Sequence, residues 1–313
     1  MPGTSSMSNS AQPPAAGGRS RSLARWLVSG PPLLYLTIFF VLPCLIMVLA
    51  SFRSPGDYGG LAPLHDENGN LDLSFDNYTR FVSDFIYAKV FLKSLTYALT
   101  TTVVCLVMAY PVAMLIAHSS KKYRDLLLLL VILPFWSNFL IRVYAWMIIL
   151  GPQSALSRAV NAVLALFGMQ PVEMLFSGFA VIVGLVYVHL PFMVLPLYAN
   201  LEKHDPALLD AAQDLGANAW RRFWRVTFPL SLPGVFAGAA LVFIPALGIF
   251  AVSDILGGTG GIMIGNVIKQ QLLETRDWPF GSVLSIILTA VALLVAGGAA
   301  WVARPKREGV EHV

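Results

Sequence analysis

The chain has 313 residues, of which 57% are hydrophobic and only 12% are charged, and its formal net charge is +4. Soluble domains carry about 25% charged residues, so a water-soluble protein of this composition would expose large apolar patches and aggregate. The composition therefore excludes an ordinary soluble globule and predicts that lipid surrounds much of the chain.

Residues 1–25 form the first segment of the chain, and they are rich in Ser, Pro, Gly and Ala. Such a composition cannot bury a core, so we expect a disordered tail. The apolar run that follows Arg25 is too long for the hydrophobic part of a cleaved signal peptide, and no small-residue cleavage site comes after it. We therefore expect this run to be retained as the first membrane helix.

Helices that cross the hydrocarbon core of a bilayer need about 20 mainly apolar residues. Six segments of the sequence meet this length: 31–51, 95–117, 126–150, 176–199, 232–256 and 282–302. Inside lipid the backbone must satisfy its own polar groups, so these segments are predicted as helices rather than strands. The sequence thus predicts an all-α integral membrane protein with one transmembrane domain over residues 26–303 and a second tail at 304–313.

Lysine and arginine are distributed unevenly between the two sides of the predicted spans. Thirteen of them lie on the side of both termini, and seven lie on the opposite side. Cytoplasmic loops carry the excess of these residues, so both termini are predicted to be cytoplasmic. Residues 52–93 then form the longest external loop, in which the pattern F-D-N-Y-x-x-F at 75–81 predicts a short helix on the outer surface. This loop either packs as a cap on the helix bundle or helps to receive a molecule on the outer side of the membrane.

The connection between the fourth and fifth segments, residues 200–231, is polar and patterned. Asp205 followed by Pro206 is typical of a helix start, and Gly216 is typical of the left-handed residue that ends one. A second amphipathic helix is predicted over 218–226, where aromatic residues alternate with arginines. We call residues 206–226 the cytoplasmic shelf, and its two amphipathic helices suit docking into a groove of another protein.

The shelf resembles the cytoplasmic motif E-A-A-x3-G-x9-I-x-L-P of ABC importer permeases. The spacing is kept throughout, with Asp for Glu, Val for Ile and Phe for Leu. The matching positions are Asp210, Ala211, Ala212, Gly216, Val226, Phe228 and Pro229. In that family the motif forms the coupling helix that docks on the ATPase subunit. The resemblance therefore implies the ABC type I importer permease fold, with six transmembrane helices and a coupling loop between helices 4 and 5.

Three further stretches, at 133–146, 191–198 and 262–279, are similar to the first of the two permeases in spermidine/putrescine importers. This resemblance implies a complex in the bacterial inner membrane with a second related permease, two ATPase subunits and a periplasmic binding protein. It implies no cofactor on this chain, because ATP and Mg belong to the ATPase. The sequence has no G-x-x-x-x-G-K-[ST] phosphate loop, so we expect a transport subunit rather than an enzyme, with no nucleic acid partner.

Polyamines are flexible cations, whose recognition needs carboxylates for the ammonium groups and aromatic faces for cation–π contact. The third segment offers Asn138, Arg142 and Trp146 at helical spacing, and Asp254 lies near the external end of the fifth. The candidates for the substrate path are Trp136, Asn138, Arg142, Tyr144, Trp146 and Asp254. A charge such as Arg142 is costly in lipid, so it is expected to pair with a carboxylate, Asp254 being one option, or to have a purely structural partner. Asp254 could instead attract a cation or lie at a solvated helix end.

Other functions stay open from the residues alone. Iron, sulfate or another small solute is a rival cargo, because the shelf motif does not depend on the cargo. A secondary transporter would need inverted repeats, and no convincing repeat is visible. A membrane-embedded enzyme would need a catalytic set at one depth, and Ser137, His189 and Asp254 form no triad-like pattern.

Overall fold

The computed structural model describes residues 29–65 and 72–302, which are helical apart from turns and an isolated bridge between Pro55 and Leu61. The predicted tails at 1–25 and 304–313 lie outside the described residues. Contacts along the chain separate it into two compact units, one ending at Leu49 and the other beginning at Ala50. The all-α prediction is confirmed for the described part of the chain.

Six helical stretches among the described residues are long and apolar enough to cross a membrane, as predicted. They are Ser29–Ser51, Phe85–His118, Phe139–Leu166, Gly178–Leu201, Ala219–Gly248 and Trp278–Ala300. We label the helices in chain order. Helix α1 is Ser29–Ser51 and includes a π turn at Thr37–Val41; α2 is Asp76–Ser83; α3 is Phe85–His118.

The labels continue through the second half of the chain. Helices α4, α5 and α6 are Lys121–Ile132, Phe139–Leu150 and Ala155–Leu166. Helices α7, α8 and α9 are Gly178–Leu201, Pro206–Asp214 and Ala219–Gly248. Helices α10, α11 and α12 are Ala251–Leu256, Ile264–Lys269 and Trp278–Val302.

The third predicted segment, 126–150, is not one helix, and that prediction was wrong. Helix α4 ends at Ile132, a short 3-10 turn covers Leu133–Trp136, and α5 begins at Phe139. Pro134 lacks a backbone N–H, and the Asn138 side chain accepts a hydrogen bond from the Leu140 N–H at 2.8 Å. Both residues favour a helix boundary over a continuous helix. The helical stretch that is long enough to cross a membrane is instead Phe139–Leu166, which consists of α5 and α6.

The fifth predicted segment, 232–256, also differs from the structure. Helix α9 starts earlier, at Ala219, and ends at Gly248, because Ile249 is extended with φ −70° and ψ 126°. Residues Ala251–Leu256 form the separate helix α10. Asp254 therefore lies in a separate short helix and not at the end of the span.

Helices α3, α7 and α9 pack against one another and form the centre of the second unit. Small residues allow close approach: a Cβ on Gly238 would lie 2.7 Å from the Met193 sulfur, and one on Gly234 would lie 2.7 Å from the Asn200 Cβ. In lipid, helices associate through such close packing. His189 is also buried here, and its Nδ1 lies 2.8 Å from the Leu185 carbonyl oxygen, as expected for a core histidine.

The loop that is predicted to be external packs against the chain just before the last span. The helix predicted at 75–81 is present as α2, and its Arg80 pairs with Asp277 at 2.9 Å and lies 4.2 Å from the centroid of the Phe280 ring. The Gly60 N–H donates to the Arg276 carbonyl oxygen at 2.7 Å. These contacts are those of a packing cap.

Candidate functional site

The cytoplasmic shelf has the helix, turn and second helix that the sequence predicts. Helix α8 begins at Pro206, and the Asp205 carboxylate accepts a hydrogen bond from the Ala207 N–H at 2.9 Å. Gly216 has φ +78°, a conformation that only glycine adopts without strain. The Asn218 side chain then caps the second helix by accepting from the Arg221 N–H at 2.9 Å.

The second shelf helix does not end before the fifth span. It continues through a π turn at Phe223–Thr227 directly into the span, so that α9 is one helical stretch of 30 residues. The Phe228 N–H donates to the Phe223 carbonyl oxygen across this turn. The sequence predicted that the second shelf helix ends at 226 and that the span begins at 232, but the two are continuous, since Pro229 is tolerated in the first turn after such an irregularity. The shelf is therefore continuous with α9.

The shelf presents large apolar side chains to its surroundings. Leu215 is 89% exposed and Trp220 is 69% exposed. Among the motif positions Ala212 and Val226 are half-buried, and the exposed ones are Asp210, Ala211, Gly216 and Pro229. Exposed apolar groups beside arginines are typical of a surface where another protein docks.

A row of aromatic rings connects the shelf to α3. The Trp220 ring lies 6.5 Å from Phe223, and Phe223 lies 5.2 Å from Tyr110 in α3. The Trp224 ring lies 5.1 Å from Phe228, which is 6.0 Å from Tyr110. Offset and edge-to-face contacts in this range stabilise aromatic pairs beyond the area they bury.

The candidate substrate-path residues of the third segment do not share one face. Trp136 is 77% exposed in the 3-10 turn, Asn138 caps α5, and Tyr144 is exposed. Trp146 packs on Tyr187, with ring centroids 5.5 Å apart. The helical spacing of Asn138, Arg142 and Trp146 is kept, because the Arg142 N–H donates to the Asn138 carbonyl oxygen at 3.2 Å. Trp136 precedes the break and lies outside this register.

Arg142 contacts the chain's own backbone and an aromatic ring rather than a carboxylate. Its guanidinium donates to the Pro134 carbonyl oxygen at 2.8 Å and lies 5.1 Å from the centroid of the Phe135 ring. Asp254 pairs with Lys269 instead, at 2.9 Å. The proposed pairing of Arg142 with Asp254 is therefore wrong. The contacts of Arg142 with Pro134 and Phe135 agree with the alternative, in which this arginine has a purely structural partner.

Asp254 belongs to a group of side chains around one ammonium. The Lys269 Nζ lies 2.9 Å from the Asp254 carboxylate, 3.6 Å from that of Glu274 and 5.7 Å from the centroid of the Phe250 ring. We call Phe250, Asp254 and Glu274 the ammonium cage. The hydrogen bond that Lys269 donates to Asp254 raises the pKa of Lys269, and Glu274 adds to this effect.

Asn266 holds the cage in place. Its amide N–H₂ donates to the Asp254 carboxylate, and its carbonyl oxygen accepts from the Ser253 hydroxyl at 2.6 Å and from the Met263 N–H at 2.8 Å. A π turn at Gln270–Glu274 follows α11 and brings Glu274 to Lys269. Sequence reasoning found Asp254 but missed the other members, because the ammonium that they surround, that of Lys269, lies 15 positions after Asp254 across short, irregular elements with no common periodicity. Among the described residues, no group of three His, Cys, Asp or Glu side chains is placed to hold a metal ion.

The chain is similar to known transport proteins over most of its length. Residues 86–307 match the family described as "Binding-protein-dependent transport system inner membrane component". The spermidine/putrescine transport system permease protein PotB of Escherichia coli strain K12 is 45% identical over 259 residues, which cover 82% of this chain and 90% of that protein. PotB of Haemophilus influenzae is 44% identical, over 82% of this chain and 87% of its own length.

A solved structure has the same fold. In the crystal structure of a bacterial alginate ABC transporter in complex with its alginate pentasaccharide-bound periplasmic protein, one chain matches with a TM-score of 0.66 at 18% identity. The match covers 91% of this chain and 95% of the other. At this identity the likeness concerns the fold alone, and it agrees with the predicted importer permease architecture.

Proposed function

The chain belongs to the inner membrane components of binding-protein-dependent transport systems, and from this membership we propose that it carries polyamines such as putrescine and spermidine through the membrane as a permease of an ATP-driven importer. It is a transport subunit, and its system works with a binding protein and an ATPase. The similarity to the PotB permeases, at 45% identity over 82% of the chain, carries the proposal of the cargo.

The ammonium cage supports a cationic cargo. Its two carboxylates and one aromatic ring surround the Lys269 ammonium with the groups that bind a primary ammonium in general. A polyamine presents the same ammonium group on a similar flexible chain. The cargo ammonium then takes the place of Lys269 at Asp254, and the Lys269 ammonium keeps the second carboxylate, that of Glu274, as its partner.

The shelf supports the proposal that an ATPase on another chain drives the transport. ATP-driven closure of the ATPase pair displaces the shelf, and α9 carries the displacement into the bundle because shelf and span form one helical stretch. A cavity shared with a second, related permease then opens to the outside and receives the polyamine from the periplasmic binding protein. The distribution of Lys and Arg supports this orientation, with both termini and the shelf in the cytoplasm.

Uptake in cells tests the cargo. A strain that lacks this subunit is complemented with the wild-type chain, and uptake of labelled putrescine, spermidine, sulfate and iron is compared. We expect complementation to restore polyamine uptake alone. Restored uptake of sulfate or iron without polyamine uptake would contradict the proposed cargo while leaving the permease class intact.

The Asp254→Asn variant tests the cage. We expect its initial rate of polyamine uptake to fall about tenfold, because a hydrogen bond from an ammonium to a carboxylate is stronger than one to an amide. The matched control is Asp277→Asn, which removes the carboxylate of the Arg80 ion pair on the same side of the protein. Equal uptake rates for Asp254→Asn and the wild type would remove Asp254 from the cargo path.

The Gly216→Arg variant tests the shelf. We expect it to abolish uptake while leaving membrane insertion and binding-protein affinity unchanged, because the side chain blocks docking of the ATPase. Gly168→Arg is the matched control: its φ is +69° and a Cβ there also meets nothing within 4 Å, so both substitutions impose similar backbone strain. Normal uptake by Gly216→Arg, or equal loss in both variants, would contradict the coupling role.

A further inference from the structure

A tyrosine hydroxyl joins α3 to α9 inside an otherwise apolar region. The Tyr110 hydroxyl lies 2.8 Å from the Ser231 hydroxyl, and both side chains are buried. The Ser231 hydroxyl also donates to the Phe228 carbonyl oxygen at 2.9 Å. The Ser231 proton is thus engaged, and Tyr110 is the donor in the contact between the two helices.

The residues that surround this hydrogen bond belong to the π turn of α9. The Tyr110 ring touches Phe223 and Phe228, which lie at the first position of the turn and just after its end. The outer rings of the same row, Trp220 and Trp224, are exposed on the shelf. Contact is therefore continuous from the docking surface to one side chain of α3.

Helix α7, a second neighbour of α9, is held differently. Helices α7 and α9 approach closely at Gly234 and Gly238, where even a Cβ would meet Asn200 or Met193 at 2.7 Å. Such close contact along two turns leaves these helices little freedom to slide, so a displacement of the shelf moves them together. Helix α3 packs against both members of this pair through apolar side chains, and the Tyr110 hydroxyl adds a directional bond between α3 and α9.

Helix α3 also has a point of weakness beside Tyr110. Pro111 lies inside α3 and cannot donate the backbone hydrogen bond that would continue the helix. Helices bend at such positions. A force applied at residue 110 therefore acts where α3 yields most easily.

We infer that Tyr110 is a positioning residue that transmits the displacement of the cytoplasmic shelf to α3 through its hydrogen bond to Ser231. This inference rests on the proposed coupling role of the shelf, and it names the contact through which a displacement of the shelf reaches α3. Packing alone does not require the hydroxyl, because phenylalanine has the same ring. A buried polar pair between two helices instead fixes one register of α3 against α9, and the helices cannot slide without losing it.

The test uses the complete importer in proteoliposomes: this chain, its partner permease, the ATPase pair and the loaded binding protein. Spermidine uptake and ATP hydrolysis are measured together for Tyr110→Phe, Ser231→Ala and the double variant. We expect each single variant to hydrolyse ATP but to carry about fivefold fewer spermidine molecules per ATP. This factor is expected because the loss of one buried hydrogen bond changes the equilibrium constant between two helix arrangements about fivefold. The double variant falls no further, because the two hydroxyls act as one contact.

The matched control is Thr102→Val, which removes a buried hydroxyl from the same helix. That hydroxyl bonds at 2.8 Å to the Ala98 carbonyl oxygen within α3 and does not reach α9. A purely structural role for Tyr110 would lower uptake and ATP hydrolysis in proportion to the amount of intact complex, with the ratio unchanged. An unchanged ratio in Tyr110→Phe, or an equal change in Thr102→Val, would overturn the inference.

Gly216→Arg separates this inference from the proposed shelf function. If Gly216→Arg transports normally, the shelf does not couple, and the proposed function fails whatever Tyr110→Phe does. If Gly216→Arg abolishes transport but Tyr110→Phe keeps the wild-type ratio, the shelf couples by a route other than Tyr110. If the importer carries a cargo other than spermidine, the assay uses that cargo in labelled form. The number of cargo molecules carried per ATP is then compared between the variants in the same way.

Discussion

At the scale of single residues, the ammonium cage combines two functions in one place. Asp254 holds an ammonium that belongs to the chain, and Asn266 fixes the direction of that carboxylate. When no cargo is bound, Lys269 compensates the charge of Asp254, so this carboxylate needs no ion from solution. Lys269 also sets a threshold for the cargo, because a monovalent cation that binds less strongly than Lys269 does not displace it.

The charge state of Lys269 predicts a pH dependence. Because Asp254 raises the pKa of Lys269, the pairing is complete below the ordinary lysine value of 10.5 and is lost as pH rises through the higher value in the folded protein. We expect wild type to unfold at a higher temperature than Lys269→Gln below pH 10, and the difference to shrink above pH 10.5. Thermal unfolding of the purified protein from pH 8 to 11 measures this.

Lys203→Gln serves as the control, since it removes an exposed lysine on the opposite side of the protein. It corrects for the general effect of alkaline pH on the membrane protein. A difference between wild type and Lys269→Gln that widens toward pH 11 would contradict the assigned direction of the pKa change.

At the scale of elements, glycine contacts hold the short external helices against the bundle. A Cβ on Gly265, in α11, would lie 2.4 Å from the Gly248 carbonyl oxygen at the end of α9. This neighbour is backbone and cannot rotate away. The position of α11, and with it Lys269 of the cage, therefore depends on the absence of a side chain at residue 265.

Gly265→Ala is predicted to destabilise the protein by about 1–3 kcal/mol, the range for overpacked sites. The temperature at which the purified protein aggregates measures the loss. Gly298→Ala is the control, because a Cβ there meets nothing within 4 Å and alanine favours helix more than glycine does. Equal aggregation temperatures for Gly265→Ala and the wild type would show that α11 shifts without cost.

Sequence reasoning succeeded for elements that depend on local signals. Hydropathy predicted the number of spans, although the third and fifth lie elsewhere than predicted. Asp205, Pro206 and Gly216 located the shelf, because each of these residues acts on its own backbone. It failed where the outcome depends on distant partners. Arg142 binds the Pro134 carbonyl oxygen, a group that every residue possesses, so nothing in the sequence marks it as the partner. Phe250, Lys269 and Glu274 come together only because α10 and α11 fold back on each other.

At the scale of the whole molecule, the proposed orientation gives opposite accessibility to two exposed positions. Tyr58 in the external loop is 98% exposed, and Leu215 on the shelf is 89% exposed. With Cys44 and Cys105 replaced by serine and alanine, a membrane-impermeant maleimide is expected to label Tyr58→Cys in intact cells. Leu215→Cys is expected to react only after the membrane is permeabilised. Labelling of Leu215→Cys in intact cells would reverse the orientation.

The close contact of α7 with α9 has a consequence for the synthesis of the protein. These helices are consecutive spans, joined only by the shelf, so closing the loop between them costs little entropy compared with a distant pairing. Gly234 and Gly238 need no residue of the last span to meet their partners on α7. We therefore expect the two spans to associate as a hairpin while the ribosome is still translating α12, so that the shelf is formed before the permease is complete.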